Sequence, residues 1–240
     1  MAHKTYFNWS TGKDSALALY KMNSDPRFSI DALVTTVNTE LNRVSMHGLR
    51  NELLVEQAKQ IGLPLQTIEL PGEVSMEGYN AIMKDFMKSI KAQGYTHTVF
   101  GDIFLEDLKA FRETKLKEVG IDAEFPLWKQ DTKKLINQFI AHGFKAITVS
   151  VNAKLLNKSF VGRIIDEDFL KDLPENVDPC GENGEFHTLV FDGPIFKQPV
   201  DFEKGEKVLK EFKINGNKDE CFKDAVNWDT AFWYCDLYKK

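Results

Sequence analysis

The chain has 240 residues, 42% of them hydrophobic and 28% charged, with a formal net charge of -5, which fits a globular protein of one large or two small domains and lacks the basic footprint of a nucleic-acid binder. No apolar run approaches the roughly 20 residues of a membrane span, and the start Met-Ala-His-Lys-Thr-Tyr has no signal-peptide core. Three cysteines, Cys180, Cys221 and Cys235, make no C-x-x-C pair, so a cytoplasmic protein with reduced thiols is expected, without membrane or nucleic-acid partners and with self-association left open.

A short apolar run, Thr5 to Trp9, leads into Ser10-Thr11-Gly12-Lys13-Asp14-Ser15 and a helix-like segment, Ala16 to Met22. Strand, tight loop and helix in that order aim unpaired backbone N–H groups and the positive end of a helix dipole at one point, where an anion is stabilised. Gly12 allows close approach, Ser10 and Ser15 add hydroxyls, and Lys13 brings a mobile charge suited to a phosphate. Phosphate binding is favoured over a ligand-free turn. The spacing is not the G-x-x-x-x-G-K-S/T of a Walker A loop, which disfavours cleavage between β and γ phosphates. Thr11, being β-branched, must hold an ordinary backbone conformation or carry strain.

Ile30 to Val37 reads as a buried parallel strand beside the first, which brings Val37, Asn38 and Thr39 out at the carboxyl edge as a candidate adenine edge. His47 precedes a helix whose Leu49, Leu53, Leu54, Ala58 and Ile61 keep helical spacing and which Gly62 ends. A nucleotide or substrate contact and a local cap are equal readings for His47. Leu65 to Leu70, His97 to Phe100 and Lys145 to Val151 read as strands; Met76 to Gln93, Leu105 to Val119 and Thr132 to His142 read as helices. This alternation predicts an α/β fold with a doubly wound, mostly parallel sheet. Gly101 and Asp102 follow a strand on the same edge, so Asp102 is a magnesium or substrate candidate, or else the N-cap of the next helix. Pro126 should take Leu127 and Trp128 off the sheet edge to pack near the cleft, with a plain core position as the alternative. A change of fold role near residue 120 divides the chain into 1–120 and 121–240.

Cys180-Gly181-Glu182-Asn183-Gly184-Glu185-Phe186-His187-Thr188 crowds glycines, two carboxylates and a histidine into one turn before the strand-like Leu189-Val190-Phe191. Glu182 and Glu185 could converge on a metal or a proton in transit; by spacing alone, a surface hairpin with solvated charges is the stronger reading.

Two motifs carry a resemblance. Ser10, Gly12, Lys13, Asp14 and Ser15 resemble the S-G-G-K-D-S loop of the N-type ATP pyrophosphatases. Gly181, Glu182, Gly184, Glu185, Phe186 and Thr188 match the G-E-x-G-E-F-x-T marker of the diphthine-ammonia ligase family. The likeness runs over roughly residues 4 to 197 through His47, Ala58, Ile61 to Pro64, Pro126 to Trp128, Gly162-Arg163 and Asp192 to Pro194. It implies an adenine nucleotide alpha hydrolase domain and a smaller α+β substrate domain. It also implies ATP and Mg2+ as cofactors, with Asp14 a candidate metal ligand, and an AMP-forming transfer of ammonium nitrogen to a carboxylate, diphthine on elongation factor 2 in the named family. On this basis Lys13, Glu182 and Glu185 are expected to be catalytic. Residues 10–15, Val37 and Asn38 are expected at the nucleotide, and His47, Gly101, Asp102, Gly162, Arg163, Gly184, His187 and Thr188 at the substrate. The chain departs from the family at Thr11 and Asn183, where glycine is usual, and at His187, where glutamate is usual; the departures admit another acid. A tRNA-thiolating pyrophosphatase and a non-catalytic nucleotide-binding regulator are the rival functions.

Overall fold

The computed structural model describes residues 2–45, 48–211 and 231–240. The elements are β1 (His3–Asn8), α1 (Lys13–Met22), β2 (Phe28–Asn38), β3 (Arg43–Val44), α2 (Asn51–Ile61), β4 (Leu65–Leu70), α3 (Met76–Ala92), β5 (His97–Val99), α4 (Glu106–Lys117), β6 (Asp122–Glu124), α5 (Thr132–Ala141), β7 (Lys145–Asn152), α6 (Glu167–Asp172), β8 (Phe186–Asp192), β9 (Phe202–Glu211) and β10 (Ala231–Lys239).

β1 is parallel to β2 on one side and to β5 on the other, β4 is parallel to β2, and β6 to β5. Leu33 is in register with both Phe7 and Leu65, so β1 and β4 flank β2 and the parallel run reads β4-β2-β1-β5-β6. The short β3 pairs antiparallel with the end of β2. The order turns back at β1 and β5, and such a reversal opens a crevice beyond the carboxyl ends of the two strands. β6, at residues 122–124, belongs to this first sheet.

Side chains alternate across the sheet. Phe7, Trp9 and Leu33 join Ala16, Leu17 and Leu19 of α1 and Leu53 and Leu54 of α2 on one face. Tyr6, Ala32 and Val34 meet Met87 and Ile90 of α3 and Leu116 of α4 on the other. With helices on both faces the sheet is doubly wound. Gly62 closes α2 at φ 83 and Gly94 follows α3 at φ 88, a left-handed conformation that glycine adopts at no steric cost.

The second sheet is antiparallel, in the order β8-β7-β10-β9. Its strands share the first core, where Ile147, Val149, Phe186 and Leu189 pack with Leu135 and Phe139 of α5 and with α1. The stretch after residue 197, outside both motifs, supplies two of its four strands. β10 also ties back to the first sheet: Asp236 accepts from Arg43 and Arg50, and Lys239 pairs with Glu56. Leu127 is fully buried after the turn at Pro126. No described helix is long and apolar enough to cross a membrane. Cys180 and Cys235 are free and buried; Cys221 and His47 lie outside the described residues.

Candidate active site

The loop from β1 to α1 holds Thr11 at φ 74. For a β-branched residue that conformation costs about 1–2 kcal/mol, so of the two alternatives for Thr11 it is strain that the loop carries. Gly12 occupies the N-cap with extended backbone and no capping side chain, and α1 begins at Lys13, three residues before the apolar run that marks it in the sequence. Ser10 and Ser15 lie hydroxyl to hydroxyl at 2.9 Å, and the Ser15 hydroxyl donates to the Gly12 carbonyl at 3.0 Å.

The glutamate-rich loop comes to this turn from 175 positions away. The Lys13 amide donates to Thr188 Oγ1 at 3.1 Å, and the Val190 amide donates to the Thr11 carbonyl at 3.0 Å. Strand β8 and its preceding loop therefore form one wall of the loop between β1 and α1; a solvated surface hairpin is not what folds here.

Lys13 does not reach into solvent, as a loop lysine awaiting a ligand would. Only 3% of it is exposed, and its Nζ sits 2.7–2.8 Å from both Asp14 carboxylate oxygens. The two line a crevice with Leu17, Leu135, Ile136, Phe139 and Cys180 that is too narrow for water. Burial opposes the ammonium charge, but Asp14, Cys180 and Glu182 outweigh it and hold Lys13 above the ordinary lysine value.

The two glutamates have different surroundings. Glu182 Oε1 accepts from the Ile103 amide at 3.0 Å and from the Phe104 amide at 3.4 Å. Burial, reinforced by Asp14, pushes its carboxyl up to about 7, against the pull of those amides and Lys13. Glu185 is 2% exposed and is engaged by its own loop: it accepts from the Asp178 amide at 3.0 Å, the Asn183 amide at 2.9 Å and Asn183 Nδ2 at 3.0 Å. Asn183 thus contributes a side chain to the clamp on Glu185. Gly184, at φ 83, and Gly181, at φ 69, make the turn; a Cβ on Gly181 would lie 2.8 Å from the Phe186 carbonyl oxygen. His187 is not a titrating group near neutral pH, as a histidine in water would be, because burial and the Lys13 charge push it down to about 4.

Gly101 lies at the same edge. A Cβ there would come within 3.0 Å of the Ser15 amide nitrogen and 3.1 Å of the Asp14 carbonyl carbon, so the bare backbone lets β5 abut the first turn of α1. Asp102 is not the N-cap of α4, a position held by Leu105; it is paired with Arg112. Val37 is buried in register with Val44, and Asn38 uses its side chain on the Leu41 amide at 2.9 Å. Gly162 and Arg163 are bound up with the second sheet. The Gly162 carbonyl accepts from Lys204 at 2.9 Å, and Arg163 pairs with Asp172 at 2.7 Å over the rings of Phe160 and Phe169. A wider hollow of about 370 Å3 on the flank of α4 has its lysines paired with its own carboxylates, Lys109 with Glu113 and Lys129 with Glu106. Its chemistry is less telling than the crowded charges at Lys13.

Two further residues hold the site together. Asp178 accepts from the Cys180 amide at 2.8 Å and from the Thr132 hydroxyl at 2.7 Å, and its charge adds to those around Asp14. Its sequence signal is an aspartate before Pro179, a turn former. Gln57 is wholly buried on α2, and its place on the stripe of Leu53, Leu54 and Ala58 was readable as a polar group facing a core.

A doubly wound α/β sheet with a phosphate-type loop at its switch point, walled by a loop from an antiparallel sheet, defines the class of this protein. Residues 3–123 match the family model described as the diphthamide synthase N-terminal domain, and residues 131–218 match the diphthamide synthase C-terminal domain. The chain belongs to the diphthamide synthase family. It is similar to the diphthine–ammonia ligase of Schizosaccharomyces pombe, with 32% identity over 128 residues, 48% of this chain and 20% of that protein. It is similar also to that of Danio rerio, with 28% identity over 224 residues, 83% of this chain and 86% of that protein. The match to the Mus musculus protein has 28% identity over 134 residues, 52% and 49%. The matched part is thus a fifth of the fission-yeast relative, about half of the mouse one and most of the fish one.

Proposed function

We propose that this chain is an ATP-dependent ligase that adenylates a carboxylate and transfers the acyl group to ammonia, with release of AMP and pyrophosphate. The observation that carries the reading is the bond between the two signature loops, Lys13 N–H to Thr188 Oγ1 at 3.1 Å. It supports a shared site of the two loops, as does the Glu182 charge acting on Lys13 at the start of α1.

In this reading a carboxylate oxygen attacks the α-phosphorus and the bond to the β-phosphate breaks. The amides at the start of α1 and the Lys13 ammonium take up the charge of the departing pyrophosphate. For that, Lys13 must exchange Asp14 for phosphate oxygens. Asp14, once released by Lys13, is the carboxylate that would hold a magnesium ion, which is usually bound by one or two carboxylates together with substrate phosphates and waters. When bound, it would neutralise phosphate charge. Ammonium then gives a proton to the Glu182 carboxylate, which at about pH 7 is close to half ionised. The freed ammonia attacks the acyl carbon, AMP leaves with the electron pair of the broken C–O bond, and the second nitrogen proton goes to the departing phosphate oxygen. We assign Glu185 to holding the loop, and residues 1–120 and 121–240 to nucleotide and acceptor respectively.

The relatives' name suggests diphthine as the acceptor, which the family resemblance puts on elongation factor 2. The neutral His187, standing where the family resemblance puts glutamate, is the feature by which this chain's acid would differ. An adenylate-trapping assay with the elongation factor, a panel of small carboxylic acids and ammonium tests both parts. AMP and pyrophosphate should appear together with an amide. ADP and phosphate as the only products would overturn the reading, and amidation of the elongation factor without small-acid turnover would fix the acceptor as diphthine.

A further inference from the structure

We infer that Gln57 is the positioning residue of the phosphate loop, holding Thr11 in a backbone conformation that threonine would otherwise leave. The inference rests on the nucleotide role just proposed for that loop and adds the device that shapes it.

Gln57 projects from the middle of α2 into a fully buried position between three segments. Its Nε2 donates to the Thr11 carbonyl at 3.0 Å and to the Val190 carbonyl at 2.6 Å, while its Oε1 accepts from Trp9 Nε1 at 3.0 Å. Both amide hydrogens and the carbonyl oxygen are therefore used, one partner on each side of the loop and one within it. The Thr11 oxygen also accepts from the Val190 amide at 3.0 Å, so it is held by two donors.

The consequence follows from peptide planarity. In a trans peptide the carbonyl and the next N–H point in opposite directions. Drawing the Thr11 carbonyl inward, to Gln57 and Val190, turns the Gly12 N–H outward, where it donates to Ser10 Oγ at 3.4 Å at the start of α1. That orientation is found together with a φ of 74 at Thr11, which a β-branched residue avoids when unconstrained. Without the clamp, Thr11 relaxes to negative φ, the 11–12 peptide rotates, and the Gly12 N–H leaves the Ser10 hydroxyl and the start of α1, where it would be at hand for an anion. A glycine at position 11 would need no clamp, because both signs of φ are open to it.

The test compares Gln57→Met in the wild-type chain with the same substitution in a Thr11→Gly background. Affinity for ATP with magnesium is measured by calorimetry, and exchange of the Gly12 and Lys13 amides by hydrogen exchange. With Thr11 present, Gln57→Met should weaken ATP binding about tenfold and speed amide exchange by a similar factor; with glycine, both changes should fall below about threefold. A merely structural glutamine would cause the same loss in both backgrounds, and that result overturns the inference, as does a folded Gln57→Met chain with unchanged affinity and exchange. If the wild-type chain binds no ATP, the nucleotide reading fails and amide exchange alone decides the role of Gln57. Should Gln57→Met not fold, Gln57→Glu keeps the acceptor for Trp9 while facing two carbonyls with a carboxylate, and the same comparison between backgrounds applies.

Discussion

Replacing Glu182 by glutamine should lower activity and raise stability at the same time. Folding moves this carboxyl from its ordinary 4.5 to about 7. Between those values the folded chain keeps a proton that the unfolded chain has released, so stability falls as pH rises through the window, and the full cost stands above pH 7. At about 1.36 kcal/mol per pKa unit that cost is on the order of 3 kcal/mol. Glu182→Gln keeps an acceptor for the Ile103 and Phe104 amides and removes the ionisation, so the variant should melt several degrees higher at pH 8, at about 2–4 °C per kcal/mol for a chain of this size. The difference should vanish near pH 4.5. Turnover should drop by roughly 10²–10⁴, the usual worth of a general base, with the KM for ATP little changed. The wild-type rate should climb with pH to about 7 and level off, while the variant's stays flat. Thermal melts from pH 4.5 to 8 beside steady-state kinetics decide it. Melting curves that track each other at every pH, or full turnover in the variant, would refute the reasoning.

Lys13→Ala leaves Asp14 near Glu182 and Asp178 without its cation; ATP-dependent turnover should fall at least about tenfold and stability by about 1–3 kcal/mol, measured by kinetics and denaturation at pH 7.5. His187 has a depressed value of about 4, so the folded chain refuses a proton that the unfolded chain takes below about 6.5. Its stabilising share is full above that pH and lost as pH falls toward 4, and its imidazole NMR signals should not titrate between pH 8 and 5.5. Gly101→Ala sets a Cβ 3.0 Å from the Ser15 amide nitrogen, a backbone contact that cannot swing aside. It should cost about 1–3 kcal/mol and weaken ATP binding, as denaturation and calorimetry would register.

Much of the architecture is written locally. The apolar runs Thr5 to Trp9 and Ile30 to Val37 mark strands because a parallel strand buried on both faces is apolar almost throughout. The spacing of Leu53, Leu54 and Ala58 marks a helix, and Gly62 and Gly94 mark helix ends because left-handed backbone suits glycine. The strand-glycine-lysine-helix order points to an anion site, since a helix start presents its own unpaired amides. The two signature loops are likewise visible as motifs.

What only the tertiary structure decided is which partner each of these groups meets. Glu182 and Glu185 are the same residue type three positions apart; one is pushed up to about 7 beside Asp14 and the other is bound by three donors of its own loop, a difference made by burial and hydrogen bonds that no spacing encodes. Lys13 looks like a free cation in the sequence and is enclosed by α5, whose approach depends on packing across the shared core. The sequence poses the question of Thr11, ordinary backbone or strain, and the answer comes from Gln57, 46 positions away, and Val190, far beyond it. The strands after residue 197 join the second sheet through long-range pairing, to which a local pattern is blind. Local periodicity determines where elements begin and end, because it depends on neighbours along the chain; the electrostatics and strain of the site depend on neighbours in space, and those exist only once the chain has folded.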